Sequence, residues 1–258
     1  NIGKAHLEGF INFEGVLKTK KELYDSVFKS KGTILFNADD EVLKNNLPEG
    51  TTSLSYGTNQ QSAIKGELIN LSPFVELKWS TNNYHSELIQ TQMIGKYNFY
   101  NYLAAISFGV YFNVSFEHIN AAISDYTPEN NRSQVKKTSK NTLILDCYNA
   151  NPTSMKSALE SFALINHPDK YFFIGDMLEL GEESIKEHQA ISQLVNELNL
   201  RGASVGPIFK QLPSHSFEER FESKSEAMAF IEKTALSNQL ILLKGSRGIG
   251  LESLENVL

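Results

Sequence analysis

The sequence predicts an α/β protein in two parts, and three observations carry that prediction. From residue 142 onward, apolar runs at 142–146, 170–175, 203–206 and 239–244 alternate with helical stretches at 152–166, 183–199, 224–236 and 250–258. That alternation is the pattern of a Rossmann-like parallel sheet wound with helices. Residues 51–95 follow the period of strands instead, at 53–56, 63–71, 74–80 and 86–93, with Asn82-Asn83 as a turn, and read as a small antiparallel sheet. Between the two lies Thr127-Pro128-Glu129-Asn130-Asn131, polar and Pro-containing, which reads as a hinge between domains at 1–126 and 132–258.

Composition bounds the function. The 258 residues suffice for one large or two medium domains. A net charge of -6 and the lack of a dense basic cluster argue against nucleic acid, so any phosphate bound belongs to a small molecule. The lone Cys147 has no disulfide partner within the chain, which fits a reducing compartment. No signal-like or membrane-length apolar run occurs. The expectation is a cytoplasmic monomer without membrane insertion. Asn1 in place of Met, at a strand-to-loop junction, suggests a piece of a longer protein.

In chain order, His6 comes first, in a loop bounded by Gly3 and Gly9; a single histidine is more often structural than a ligand. Read as a helix, Gly15 to Phe28 puts Val16, Leu23 and Val27 on one face, with Lys20 in the middle of that stripe. Lys20 either snorkels from a half-buried site or is a buried amine of lowered pKa. A neutral amine can add carbon dioxide to give a carbamate, a carboxylate-like metal ligand. TILFNADD (33–40) is a strand ending in Asn37, Asp39 and Asp40, with a short helix over 41–46. GTNQQS (57–62) starts like a phosphate-binding loop but lacks its second glycine and its lysine, and no intact P-loop occurs in the chain.

The long apolar helix over 95–112 carries Asn98 and Asn101 one turn apart. Such amides either cap the helix or read the edge of a base. A second helix, capped by Ser115, ends near Tyr126. Arg132 follows the hinge and is either a surface residue or a phosphate ligand. At 142–168 an apolar strand ends in Asp146, followed by Tyr148-Asn149-Ala150-Asn151 and a helix with Asn151 as N-cap and Pro152 at its first position. This is where open α/β sheets bind ligands. Two further loops leave the same sheet edge, GDMLELGEES (175–184), with His188 beyond it, and LLKGSRGIGLE (242–252).

The string DCYNANPTSMKSAL closely resembles the signature of the Mur ligases, and the other segments match that family in order and spacing from Asn1 to the end. The resemblance covers only the later part of the family's architecture. It implies the C-terminal half of a P-loop-type ATPase central domain followed by the family's C-terminal domain. It also implies ATP-driven amide formation, in the branch that joins D-alanyl-D-alanine to a UDP-N-acetylmuramoyl-tripeptide through an acyl phosphate. By this resemblance Asn1 matches a motif asparagine, His6 holds magnesium beside ATP, and Lys20 is a carbamylated lysine at a second magnesium. Asn98 and Asn101, in the pattern N-x-x-N-x-L-A-A, lie against adenine; the family often has histidine or another aromatic where Tyr97 stands. Arg132 reaches ATP phosphate, although Asn131 replaces the family's glycine, and Asp146 binds ribose. Asn149, Asn151, Asp176, Lys244, Ser246 and Arg247 fall on the substrate side, and His188 is read as structural. A sister ligase would carry a DNPR loop, and folylpolyglutamate synthetase a different segment around Asp146; neither is present. The remaining alternative is a non-catalytic nucleotide-binding or interaction module.

Overall fold

In the computed structural model the described residues are 2–4, 7–10, 12–213 and 216–258. The chain divides into two compact units, one of Asn1–Gly3 and Phe10–Tyr126, the other of Lys4–Gly9 and Thr127–Leu258. Lys4 and residues 7–9 thus group with the later unit rather than with the first, where the sequence puts them. Lys4 pairs with Glu187 at 2.6 Å, and the Glu8 N–H donates to the Glu179 carbonyl.

After a single helical turn, α1 (Leu7–Phe10), the first unit opens with α2 (Phe13–Lys29), whose N-cap Asn12 accepts from the Gly15 N–H. Its sheet runs β1 (Ile34–Asn37), β2 (Ser53–Gly57), β3 (Ile64–Asn70), β4 (Glu76–Thr81) and β5 (Tyr84–His85) in spatial order, with β6 (Ile89–Gln90) also on β4. The expected antiparallel strands are present as β3 to β6, while the first of the expected strands, β2, runs parallel. β2 pairs parallel with both β1 and β3, and only β3 to β6 pair antiparallel, so all six strands form one mixed sheet. The short α3 (Glu41–Asn45), capped by Asp40, is the crossover that lets β2 run alongside β1. The expected strand at 86–93 is broken because Ser86 turns its hydroxyl onto the Trp79 N–H, where a ladder carbonyl would stand.

α4 (Lys96–Tyr111) lays Phe99, Tyr102, Leu103 and Ile106 on this sheet against Ile64, Val75, Leu77 and Trp79. α5 (Phe116–Asp125) begins at Ser115, whose hydroxyl accepts from the His118 N–H, and buries Ile119 and Ile123. The 57–62 loop, read as a phosphate-loop decoy, already holds an anion of its own. The Asp39 carboxylate accepts from the Thr58 N–H (2.7 Å), the Thr58 hydroxyl (2.8 Å), the Asn59 amide (3.1 Å) and the Tyr100 hydroxyl (3.2 Å).

The second unit contains β7 (Gln134–Lys137), β8 (Thr142–Asp146), β9 (Lys170–Gly175), β10 (Gly202–Val205), β11 (Glu219–Phe221) and β12 (Leu240–Lys244). Their order is β11-β10-β9-β12-β8-β7, parallel except for β7. α6 (Pro152–Leu164), α7 (Ser184–Glu197), α8 (Pro207–Gln211) and α9 (Lys224–Thr234) connect them. Strand-length apolar runs such as YFFIG and LILLK are buried along their whole length, as a sheet covered on both faces requires. The expected helix at 250–258 is a 3-10 helix, Leu251–Asn256. Leu251 and Leu254, three apart, share its buried side, and a three-residue repeat suits that tighter coil. β12 lies between β8 and β9, so the C-terminal ends of all three come together. Among the described residues no helix is long and apolar enough to cross a membrane.

Candidate functional site

The ends of β8, β9 and β12 gather the loops 146–151, 176–183 and 245–250 of the second unit. Lys244, at the end of β12, is only 1% exposed, and its ammonium meets Asp146 Oδ2 of β8 at 2.6 Å and the Asn149 carbonyl at 3.4 Å. The other oxygen of Asp146 accepts from the Ser133 N–H at 3.2 Å. A buried ammonium is tolerable here because a carboxylate neutralises it. Cys147, buried beside the pair, donates its thiol to the Leu243 carbonyl, and burial pushes its ionisation well above the usual thiol range.

Arg132 is exposed, and its guanidinium carbon lies 3.6 Å from the centroid of the Tyr148 ring. The backbone around it takes an unusual course: Asn130, Asn131 and Ser133 have φ of 58°, 56° and 51°. Asparagine enters this left-handed region more readily than most residues, so Asn131 takes up the turn where the resembling family has glycine. Arg247, from the loop after β12, is also exposed, and its guanidinium carbon lies 5.9 Å from the same ring. Tyr148 was quoted in the motif but given no role. Its partners lie far away in the sequence, and no local pattern announces them.

Three residues expected on the substrate side face inward. Asp176 is fully buried and caps α8, accepting from the Ile208 N–H (2.8 Å) and the Phe209 N–H (3.0 Å). A side chain at Gly206, where φ is 131°, would meet that carboxylate at 2.3 Å. Ser246, 4% exposed, accepts from the Leu178 N–H at 2.9 Å and donates to the Ala150 carbonyl at 3.4 Å, tying the loops together. With Lys244 these side chains support the site rather than line its surface, since their polar atoms already have protein partners. Asn151 is the N-cap of α6, in a reciprocal box with Ser154. Asn149 and Arg247 are the exposed members of the set.

His188 is completely buried. Its Nε2 accepts from the Met177 N–H (3.0 Å), so Nδ1 carries the proton toward the Ser184 carbonyl at 2.7 Å. Burial lowers its pKa below the usual histidine value, although Asp176 lies 3.7 Å away. This is a structural histidine.

The first unit holds the remaining candidates. Asn98 is 1% exposed, its amide nitrogen donating to the Ile94 carbonyl (2.7 Å) and its oxygen accepting from the Asn101 amide (2.9 Å). Asn101 is exposed, so it alone of the two can present an amide edge to a ligand. Lys20 is exposed and Leu23 is 66% exposed, while Val16 at the start of the stripe is buried. The expected half-buried lysine is therefore corrected: helical spacing tells which residues share a face, not whether another element covers it. His6 lies outside the described residues, as does Asn1. Among the described residues no three His, Cys, Asp or Glu side chains converge as a metal site would require.

Comparison with known proteins follows the same division. A model of the Mur ligase middle domain matches residues 1–109, and one of the Mur ligase glutamate ligase domain matches residues 131–247. The UDP-N-acetylmuramoyl-tripeptide–D-alanyl-D-alanine ligase of Bacillus subtilis (strain 168) is 26% identical over 264 residues, covering 98% of this chain and 57% of that protein. The protein of the same name from Treponema pallidum (strain Nichols) is 30% identical over 271 residues, covering 100% and 56%. Among solved structures, MurF from Acinetobacter baumannii has a TM-score of 0.83 at 25% identity, over 99% of this chain and 57% of that one. MurF ligase from Thermotoga maritima, in complex with ADP, has a TM-score of 0.85 at 18% identity, over 100% and 60%, a likeness of fold. The chain thus spans little more than half the length of the relatives it matches.

Proposed function

This chain belongs to the Mur ligase family, and on that premise we propose that it is part of an ATP-dependent ligase that joins D-alanyl-D-alanine to a UDP-N-acetylmuramoyl-tripeptide in the cytoplasm, as a step in building peptidoglycan precursors. The supporting observation is the cationic edge of the second unit, where Arg132 stands exposed and the buried Lys244 pairs with the partly buried Asp146. A free carboxylate is a poor acylating agent. Transfer of a phosphoryl group from ATP makes it an acyl phosphate, the amine attacks its carbonyl carbon, and the tetrahedral intermediate expels phosphate.

In this reading Arg132 offers in-plane N–H groups to phosphate oxygens. Asp146, oriented by Lys244 and the Ser133 N–H, keeps lone pairs for ribose hydroxyls. Asn101, steadied by Asn98, reads the edge of adenine. Asn149 and Arg247 receive the amine substrate, while Asp176, Lys244, Ser246 and Asn151 hold the loops that carry them. Residues 127–131 act as the hinge between the units. Magnesium, the ion that phosphoryl transfer calls for, is assigned His6 and a carbamate on Lys20. The described residues do not form that site by themselves, so it would need further ligands.

The test is phosphate release that requires both the tripeptide nucleotide and D-alanyl-D-alanine, measured on a protein of the relatives' full length that contains these residues. Arg132→Ala should lower kcat at least about a hundredfold, in the range of lost transition-state contacts. Lys20→Arg should be as inactive as Lys20→Ala, because arginine keeps the charge that a carbamate removes. Near-normal turnover by Lys20→Arg would rule out the carbamate. The 258-residue chain itself contains no P-loop, and it should release no phosphate from ATP; release abolished by Arg132→Ala would contradict that.

A further inference from the structure

We propose that Tyr148 is a positioning residue that presents Arg132 and Arg247 as one pair for a diphosphate-like oxyanion. The proposal rests on the reading in which Arg132 meets phosphate, and departs from the placing of Arg247 with the amine substrate by making it a second cation on that phosphate, with Tyr148 as the ring that holds both.

Three separate segments build the pair. Arg132 comes from the turn before β7, Tyr148 from the loop after β8 and Arg247 from the loop after β12. The guanidinium carbons lie 3.6 Å and 5.9 Å from the ring centroid, both within cation–π range. Among the described residues neither guanidinium has a carboxylate at ion-pair distance, and Asp146, two residues from Tyr148, is taken by Lys244 at 2.6 Å. Two like charges gathered at one ring repel each other, and among the described residues no carboxylate pairs with either of them. With a net charge of -6 the chain as a whole does not attract anions, so this local concentration of positive charge stands out. Stacking engages the face of a guanidinium and leaves its in-plane N–H donors open, which suits an anion whose charge is spread over several oxygens.

The pair is held from behind. The left-handed turn around Arg132 is fixed by the Ser133 N–H on Asp146, and the loop of Arg247 is anchored by Ser246 to Leu178 and Ala150. Tyr148 is 43% exposed, so replacing it leaves the core intact.

The experiment uses the 258-residue chain, inorganic pyrophosphate as probe, and calorimetric titration alongside NMR of the arginine Nε–H resonances. Wild type and Tyr148→Phe, which keeps the ring, should bind alike and show ring-current-shifted resonances for both arginines. Tyr148→Leu should bind about tenfold more weakly, as loss of a cation–π contact implies, and its arginine resonances should return to unshifted positions at an unchanged Tm. Arg247→Gln should weaken binding to a similar degree. Unchanged affinity in Tyr148→Leu or in Arg247→Gln would overturn the proposal, as would no pyrophosphate binding by wild type. If Arg132→Gln alone abolished binding, the single phosphate contact of the proposed function would survive and the pair would not.

Discussion

Asp176 joins strand β9 to helix α8 through two backbone N–H groups, and no water reaches it. Asp176→Ala would leave both donors buried without an acceptor, so the second unit should lose about 3 kcal/mol in urea unfolding. Gly206→Ala should be destabilising too, because its methyl would press on the carboxylate and φ there is 131°. A variant Asp176→Ala of wild-type stability would return this residue to the list of ligands. His188 makes the second unit pH-sensitive. Its folded pKa lies below the unfolded value of 6.5, because burial disfavours the charged ring. The unfolded state therefore binds more protons, and stability present above 6.5 is lost as pH falls through and below that value. Urea midpoints between about pH 7.5 and 5.5 should fall in wild type and change less in His188→Gln.

In the first unit, the β4–β5 hairpin is locked to α5 by one amide. Asn120 accepts from the Trp79 indole N–H (2.8 Å) and donates to the Tyr84 hydroxyl (2.7 Å), and Phe116 packs edge-on to Trp79 and tilted against Tyr84. Asn120→Ala should cost about 1–2 kcal/mol, read by the fluorescence of Trp79. Elements of this scale were legible where burial is uniform. Thr142–Asp146 and Lys170–Gly175 form at the expected residues, because long apolar runs between turn signals leave few alternatives. The N-caps Ser115 and Asn151 were equally plain. β7, β11 and α8 were not: QVKK, ERF and PIFKQ are short, and their partners, not their own pattern, make them regular. The parallel pairing of β2 was hidden for a related reason, since period-2 alternation does not give strand direction.

Across the whole molecule, each unit has its own apolar cluster, one around Leu77, Trp79 and Leu103, the other around Phe173, Ile241 and Leu243. Unfolding should therefore proceed in two transitions, with Trp79 fluorescence and far-UV dichroism giving different midpoints; coincident curves would mean a single cooperative unit. The candidate site was legible as strings but not as geometry. Asp146, Lys244 and Arg132 stood out in motifs, yet that Lys244 neutralises Asp146, and that one tyrosine gathers two arginines, follows only from the order in which β8, β9 and β12 lie side by side. The same division of cores has a practical side. Trp79 is the chain's only tryptophan and Cys147 its only cysteine, and both are buried, one in each unit. A thiol that donates to the Leu243 carbonyl and resists ionisation can meet a thiol-reactive dye only when the second unit opens. Its labelling rate is a clock for that opening, while indole emission gauges the first unit, so the unmodified chain carries a separate reporter for each half.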